Sequence, residues 1–352
     1  MSALLERLRI RLPILQAPMA GTSTPALAAA VTEAGGLGAL GLGASDAAGA
    51  RQMIRQTRAL TRGPFNVNLF CHRPAQADAA REAGWLRWLA PRFAEFGAPP
   101  PAALREIYTS FVADRAMLAM LLEEKPAVVS FHFGLPPSDA LAALRAAGMV
   151  LMGSATAPHE AAALEAAGLD AIVAQGREAG GHRGVFDPDA PDEALDTATL
   201  LRRLVKQCAR PVIAAGGIMD GAGIAAALAL GAQAAQLGTA FVLCPETAID
   251  EGYRRALSAG ERRTVFTASI SGRKARCLRN DFTALDQDPA QPPRPDYPIV
   301  YDAGKALHAA AKARGVYGYG AQWAGEGAPR ARSLPAKDLM AVLETEWRAA
   351  AR

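Results

Sequence analysis

The segment Gln175–Gly184 holds the residues best suited to chemistry, because it places His182 among four glycines. Histidine titrates at about pH 6.5, so near neutral pH it can accept a proton or stabilise an anion. Gln175 stands at the end of an apolar run and can hydrogen-bond a carbonyl or ring nitrogen of a cofactor. We expect a catalytic loop around His182 in preference to a histidine that serves only packing.

Other polar residues lie within or just after apolar runs. His132 stands between Phe131 and Phe133, so it either contacts a substrate or packs in the core. Asn66 and Asn68 alternate onto one strand face, where an amide bonds either a cofactor ring edge or a core partner. The remaining histidines are interpreted as surface residues of loops or helices: His72, His159 and His308.

Two glycine-containing segments follow late apolar runs. They are Gly216-Gly217-Ile218 and Gln236-Leu237-Gly238-Thr239. Glycine lets backbone N–H groups approach a phosphate closely, and Thr239 adds a hydroxyl donor; the alternative is two tight turns. Their joint occurrence favours a phosphate site. No G-x-G-x-x-G opens a helix after an early strand, so FMN is favoured over NAD.

A short apolar turn follows the first apolar run. It is formed by Ala17, Pro18 and Met19, with Ala20 and Gly21 after it. Such a turn either lines the face of a flat ring or simply ends a strand.

A polar stripe stands near the end of the chain. Tyr297, Tyr301 and Lys305 are spaced at i, i+4 and i+8, which puts them on one helix face. Pro298 indicates that this helix begins near Tyr297. The stripe faces either a pocket or the solvent, and both interpretations stay open.

Eight short apolar runs alternate with Ala-rich helical stretches that end in glycine. This pattern is typical of parallel strands buried on both faces. It predicts an α/β protein with a (β/α)8 TIM barrel, favoured over a doubly wound sheet. The predicted strands are Ile14–Met19, Leu37–Gly41, Phe65–Phe70, Ala127–Phe133, Val150–Ser154, Ala171–Gln175, Pro211–Ala215 and Ala234–Phe241.

The domain organisation follows from two interruptions of this rhythm. A barrel needs roughly 250 residues, which leaves about 100 of the 352 for additions. We predict an FMN-binding barrel over 1–244, with a helical insertion over about 71–124. Residues 245–327 show no further strand-helix alternation and predict a smaller, mostly helical lid over the barrel mouth. Residues 328–352 predict a terminal helix that returns to the barrel.

Composition excludes several classes of protein. The net charge is +4 without a long run of like charges, so nucleic-acid binding is not expected. The four cysteines form no CxxC pair, which fits a reducing cytoplasm, and no spacing indicates a metal site. The uncharged stretch 221–245 is interpreted as a helix and a buried strand, so no membrane span is expected. The segment Met1–Arg11 carries charges and no long apolar core, so no signal peptide is expected.

One basic cluster allows two interpretations. It comprises Arg273, Lys274, Arg276 and Arg279. The cluster is either a solvated surface or an electropositive rim that attracts a small anionic substrate.

Taken together, these segments resemble the class I nitronate monooxygenases over nearly the whole chain. The matching motifs are Pro13–Gly21, Val67–Phe70, Val129–Pro136, Gly153–Thr156, Gln175–Gly184, Ala215–Ile218 and Gln236–Phe241. The glycine-histidine loop is the most specific of them. The segment Thr156–His159 departs from the more polar version typical of the family, and Tyr317, Tyr319 and Trp323 add an aromatic-rich tail.

The resemblance implies a function and a set of roles. FMN would place its phosphate on Gly217, Gly238 and Thr239, and Asn68, Gln175 and Gly180 would contact the flavin. His182 would be the catalytic histidine, and Tyr297, Tyr301 and Lys305 would be polar pocket residues. The substrate would be an alkyl nitronate such as propionate 3-nitronate, oxidised by O2 without NAD(P)H, which would detoxify nitro compounds. The enzyme would be a monomer or a homodimer.

Two alternatives of different classes remain. One is an FMN barrel that uses NAD(P)H, such as a quinone reductase or an enoyl-thioester reductase. The other is a barrel that binds a phosphorylated ligand without catalysis.

Overall fold

A computed structural model describes residues 2–259 and 262–352, and its strands fall into two sheets. The strands are β1 (Ile14–Gln16), β2 (Gly38–Gly41), β3 (Phe65–Phe70), β4 (Val128–His132), β5 (Val150–Ala155), β6 (Ala171–Gln175), β7 (Gly181–His182), β8 (Val212–Ala215), β9 (Ala234–Leu237), β10 (Thr264–Thr267) and β11 (Ala275–Leu278).

Fourteen α-helices are described, and helices stand between most of the strands. They are α1 (Ala3–Leu8), α2 (Pro25–Glu33), α3 (Ala47–Leu60), α4 (Ala79–Glu95), α5 (Arg115–Glu124), α6 (Ser138–Ala146), α7 (Pro158–Ala166), α8 (Thr197–Gln207), α9 (Gly221–Ala229), α10 (Thr239–Val242), α11 (Glu251–Ser258), α12 (Asp281–Ala284), α13 (Ile299–Lys312) and α14 (Ala336–Ala350).

The larger sheet is the predicted eight-stranded parallel barrel. Its strand order is β1-β9-β8-β6-β5-β4-β3-β2, and every pairing is parallel. A parallel bridge between Leu15 and Leu37 joins the two end strands and closes the sheet. The predicted (β/α)8 barrel is confirmed, and the carboxyl ends of its strands meet at one mouth.

Local sequence explains most helix boundaries. Thr24, Asp46 and Asp196 each accept a backbone N–H at the start of a helix, which satisfies one of its unpaired donors. The glycines predicted as stops after α2, α6, α7 and α9 all take positive φ.

Two predicted strands end earlier than expected. The run Ile14–Met19 is a strand only to Gln16, because Pro18 has no N–H and the chain turns there. The run Ala234–Phe241 is a strand only to Leu237, and Thr239–Val242 forms a short helix instead. Both turns lie at the barrel mouth.

The barrel interior is filled by apolar side chains from its strands. Leu15, Met152, Val173 and Ile213 form one buried cluster, and α1 covers its lower end. The outer faces of the strands pack against the surrounding helices in a separate cluster. In the described structure the barrel interior is therefore filled below the mouth.

The insertion and the later region share one core. Trp85 and Phe93 of α4 pack with Val300 and Leu307 of α13 and with Phe282 of α12. Residues 245–327 were predicted as mostly helical, and beside α11, α12 and α13 they contain two short strands that the sequence pattern did not indicate. β10 and β11 pair antiparallel, and β11 also pairs with β7 from the histidine loop. The predicted domain limits stay predictions.

The terminal helix α14 packs on the barrel, as its apolar face predicted. Leu339, Met340 and Leu343 are fully buried and join the cluster around Ile14 and Leu27. Within the described residues, no helix is long and apolar enough to cross a bilayer.

Gly221 shows how closely α14 approaches α9. A Cβ at this position would lie 2.1 Å from the backbone nitrogen of Trp347, whereas a Cβ at Gly223 would meet nothing closer than 3.3 Å. We therefore expect Gly221→Ala to destabilise the protein by about 1–3 kcal/mol through overpacking. Gly223→Ala, two residues along the same helix, should be neutral or stabilise by up to about 1 kcal/mol. Denaturant unfolding measures both, and equal effects would contradict the close packing.

Candidate active site

A large cavity opens at the carboxyl ends of the barrel strands. It encloses about 1360 Å³ of empty space, including the part open to solvent. The wall draws on the ends of most barrel strands and on the lid. Site residues predicted from the sequence that line it are Ala17, Pro18, Met19, Asn68, His132, Gln175, Gly180, His182, Gly217, Gln236, Gly238, Thr239, Tyr297 and Tyr301.

The described wall combines apolar surface with polar groups and has no charged side chain. None of its described residues is an aspartate, glutamate, lysine or arginine, and glycines form much of it. No group of three or more potential metal ligands occurs in the described part of the chain. The site therefore offers hydrogen bonds, aromatic surface and neutral imidazole.

The histidine loop is fixed by the last residue of β6. The amide nitrogen of Gln175 donates to the His182 carbonyl at 3.0 Å, and its amide oxygen accepts from the Gly184 N–H at 2.7 Å. One buried side chain thus holds the backbone on both sides of Arg183. Gln175 was expected to bond a cofactor, and the structure gives it this positioning role as well.

Arg183 supplies a second anchor, which the sequence did not reveal. It is 1% exposed and pairs with both carboxylate oxygens of Asp192, at 2.9 and 3.0 Å. Its third nitrogen donates to the carbonyl of Gln175 at 2.9 Å. Burial raises the pKa of Asp192, but the hydrogen bonds from Arg183 outweigh it and hold the value at about 2.

His182 contacts Ser271 and four aromatic rings. Its Nε2 lies 2.8 Å from Ser271 Oγ, which in turn donates to the Arg273 carbonyl at 3.2 Å. A hydroxyl has one proton, so an oxygen that donates to the carbonyl accepts from Nε2–H, and Nδ1 is the free acceptor. Burial, with His132, Arg273 and His72 nearby, lowers the pKa of His182 to about 3, so the ring is neutral.

The rings around His182 form an aromatic enclosure. Their centroids lie between 5.0 and 6.4 Å from the imidazole. They belong to Trp323, Tyr297, Phe133 and Tyr301. This enclosure excludes water from one side of the histidine.

Two further histidines lie near this centre. His132 lines the cavity, its Nε2 lies 3.3 Å from the His182 carbonyl, and burial lowers its pKa to about 4. The prediction that His72 lies on a surface is wrong: it is 1% exposed, and neither ring nitrogen has a partner among the described residues. Its ring packs edge-on against Tyr297 with centroids 4.9 Å apart, a long-range contact that the sequence does not encode locally.

The predicted phosphate end is built from backbone. Gly216 and Gly217 take φ of +131° and +68°, which side chains with a Cβ rarely adopt. No hydrogen bond among the described residues uses the N–H of Gly217 or Gly238. The Thr239 hydroxyl accepts from the Gly325 N–H at 2.9 Å, which leaves its proton to donate.

The apolar turn is held in place by Gln16 at the end of β1. Its amide donates to Ser23 Oγ at 2.9 Å and to the Ala39 carbonyl at 3.0 Å, and Ser23 Oγ also accepts from the Met19 N–H. The turn borders the phosphate end, since a Cβ at Gly238 would lie 3.4 Å from that of Ala17.

Asn68 reaches the cavity while Asn66 lies below it. Both amides donate to Ser130 Oγ at 2.9 Å. The Ser130 hydroxyl thus accepts two hydrogen bonds, and its own proton can be donated to a different acceptor. Leu237, predicted as part of the phosphate segment, does not line the wall and packs with α14 and its neighbours.

The tyrosine stripe is only partly helical. Tyr297 precedes α13, whereas Tyr301 and Lys305 lie on it. Lys305 is not part of the wall; its ammonium lies 4.7 Å above the ring of Tyr108 and 5.3 Å above that of Tyr301. Burial lowers its pKa.

Comparison with known proteins identifies the family to which the chain belongs. The model of the nitronate monooxygenase family matches residues 1–346. The chain belongs to the nitronate monooxygenase family. It is 69% identical to a nitronate monooxygenase of Paraburkholderia phytofirmans over 98% of this chain and 94% of that one. It is 58% identical to one of Pseudomonas aeruginosa over 97% of each chain.

A solved structure supports the same relationship. Nitroalkane oxidase from Streptomyces ansochromogenes matches with a TM-score of 0.90 and 42% identity over 99% of both chains. The predicted family and barrel are therefore confirmed, and the chain is an oxidoreductase enzyme of the nitronate monooxygenase family. The individual residue roles stay predictions.

The sequence analysis did not assign several residues of the cavity wall to the site. They are Tyr108, Ser130, Tyr253 and Trp323, with Ser271 behind the wall. Tyr108 lies in the Pro-rich insertion and Trp323 in the tail, so no local motif marks either one. Aromatic residues inside otherwise irregular segments were the available signal.

The Arg183–Asp192 pair gives a pH-dependent prediction for this member of the nitronate monooxygenase family. Asp192→Asn leaves a buried guanidinium without its counter-charge and should cost about 3–5 kcal/mol of stability at pH 7. The folded pKa of about 2 lies below the ordinary 3.8, so this stabilisation is present above pH 3.8 and is lost as pH falls towards 2.

The difference in unfolding free energy between wild type and Asp192→Asn should therefore shrink below about pH 4. Glu193→Gln is the matched control, because Glu193 pairs with Arg203 at an exposed position and should matter by less than about 1 kcal/mol. A pH-independent difference would contradict the charge-based anchor.

Proposed function

We propose that the enzyme oxidises alkyl nitronates of the propionate 3-nitronate type with O2, using FMN, and thereby detoxifies nitro compounds. The observation that carries the proposal is a neutral His182 enclosed by four aromatic rings, in a wall whose described residues include no charged side chain. A nitronate is an anion that needs an electron acceptor beside it more than it needs a strong base. The names of the relatives support the same substrate class.

The residues present fit FMN. Two glycines with unused backbone N–H groups and the Thr239 hydroxyl would hold the phosphate at Gly217 and Gly238. The apolar turn Ala17–Met19 would lie against the flat ring, and Asn68 and Gly180 would contact its edge. When bound, FMN would accept electrons from the nitronate and pass them on to O2.

The chain's own residues would bind and orient the substrate. Tyr297 has a buried hydroxyl without a partner among the described residues, so it can donate to an oxygen of the nitro group. Burial raises its pKa well above the usual range for tyrosine, so it remains a donor at neutral pH. Tyr301 and Lys305 extend this polar surface to the pocket mouth, and His132 borders its inner side.

His182 would act on substrate through Nδ1 while Ser271 holds Nε2. A base whose pKa is lowered to about 3 removes protons slowly, so pre-formed nitronate should be a better substrate than the neutral nitroalkane.

The test is oxygen uptake by the purified, yellow holoenzyme with propionate 3-nitronate and without NADH. We expect rapid uptake and no anaerobic bleaching of the flavin by NADH. Fast bleaching by NADH without nitronate turnover would instead favour a pyridine-nucleotide-dependent reductase. Absence of a flavin spectrum would favour a barrel that only binds a phosphorylated ligand.

His182→Asn separates the two possible roles of the histidine. We expect it to lower kcat/KM for a neutral nitroalkane by about 10²–10⁴-fold, because asparagine cannot accept the proton. Activity on the pre-formed nitronate should fall about tenfold or less, since asparagine keeps an N–H donor.

The control is His159→Asn, at an exposed position on α7 away from the cavity, which should change neither activity. Equal losses on both substrates in His182→Asn would rule out the base and leave only the anion-binding role.

A further inference from the structure

Arg273 is a buried cation behind the wall of the active site. It is 4% exposed, its Cζ lies 4.3 Å above the ring of Phe133, and it donates to the Val185 carbonyl. Its Nε has no partner among the described residues. From the sequence, this arginine was expected in a basic cluster that forms either a solvated surface or an electropositive rim of the site. Its burial is therefore unexpected.

The charge of Arg273 lacks a direct counter-ion. Two other buried arginines nearby have one: Arg183 pairs with Asp192, and Arg276 pairs with Glu326 at 2.8 Å. For Arg273, no carboxylate oxygen in the described ranges lies within 4 Å, although Glu160 and Asp187 act on it from farther away, against Arg73. Burial lowers its pKa to about 10, so it stays protonated at neutral pH.

Glu160, one of these two carboxylates, is held by other residues. It is 3% exposed and accepts from the backbone and hydroxyl of Thr156 and from the Phe186 N–H. These bonds keep Glu160 in place without removing its charge, which acts on Arg273 from beyond ion-pair distance. The guanidinium of Arg273 instead faces the ring of Phe133.

Phe133 lies against Arg273 and also contacts His182 of the active site. It takes φ of +73°, a conformation rare for a bulky side chain and typically retained at functional sites. Its ring lies between Arg273 and the cavity, with centroids 5.7 Å from His182 and 5.5 Å from Tyr297. One aromatic ring thus separates the cation from the two groups expected to hold the substrate.

We propose that Arg273 is a specificity-determining residue, whose positive potential makes the site select anionic nitronates over neutral nitroalkanes. This inference rests on the proposed function. An anion entering the cavity loses water and meets no charged side chain in the wall, so a nearby unneutralised cation decides how strongly it is held. A neutral nitroalkane gains little from the same potential.

The histidines support this assignment. Arg273 contributes to lowering the pKa of His72, His132 and His182, whose rings all contact Phe133. A positive potential that disfavours protonation of these histidines also favours the binding of an anion beside them.

Lys305 is the competing source of positive potential. It stands at the exposed rim, above the rings of Tyr108 and Tyr301, where dissolved salt screens its charge. A buried charge is screened much less. The two contributions are therefore separable by ionic strength.

The experiment uses the flavin-loaded enzyme with propyl-1-nitronate, 1-nitropropane and nitrate, a planar anion that shares the O–N–O group. Arg273→Gln removes the charge but keeps a donor for the Val185 carbonyl. We expect it to lower kcat/KM for the nitronate by about tenfold and to raise the Kd of nitrate similarly. Activity on 1-nitropropane should not fall, because the pKa of His182 is no longer lowered by Arg273, and Arg273→Lys should restore anion preference.

Arg279→Gln is the matched control, because it removes one exposed positive charge from the same segment. It should leave both substrates and nitrate within about twofold of wild type. Equal losses on nitronate and nitroalkane in Arg273→Gln, or an unchanged Kd of nitrate, would overturn the proposal. If wild type fails to oxidise nitronates, the proposed function fails, and the nitrate titration still decides the role of Arg273.

A second measurement requires no change at Arg273. In Lys305→Gln, nitrate should still bind, and its Kd should vary less with salt than in wild type. Loss of nitrate binding in that variant would assign the anion preference to Lys305 and overturn the proposal.

Discussion

The barrel mouth depends on how the glycine-rich segment after β6 is held. Four glycines would leave this segment with many accessible conformations, and fixing them costs entropy. The side chain of Gln175 grips the backbone on both sides of Arg183, and Arg183 in turn binds the Gln175 carbonyl. Each of these two side chains therefore holds the backbone at or beside the other residue. His182 therefore projects from a loop as constrained as the strand it follows, and β7 ties it to the lid sheet as well.

The electrostatics of the site suit a substrate that arrives as an anion. Three histidines with lowered pKa stay neutral, and cations without a carboxylate in direct contact stand behind Phe133 and at the rim. A strong base would need a pKa close to the working pH, which this enclosure does not provide. A nitronate has already lost its proton, so under the proposed function a weakly basic histidine is no disadvantage.

Sequence reasoning found what is encoded locally. Buried strands, helix stops and the glycine-histidine loop depend on neighbouring residues, and the structure has them where predicted, apart from two strand ends. It missed Tyr108, Ser271 and the burial of Arg273 and His72, because each depends on contacts between distant segments. The lid sheet was missed for the same reason: β7 has two residues and exists only because β11 pairs with it. Its strands carry no alternation long enough to recognise.

The strap of residues 320–327 connects the two ends of the cavity. A Cβ on Gly180 would lie 2.5 Å from the nitrogen of Gly325, so strap and histidine loop are in direct backbone contact. The N–H of Gly325 also donates to Thr239 at the phosphate end, and Trp323 packs against His182. Strap contacts therefore connect the predicted phosphate segment with His182 through one continuous set of packed residues, to which both the barrel strands and residues 320–327 contribute.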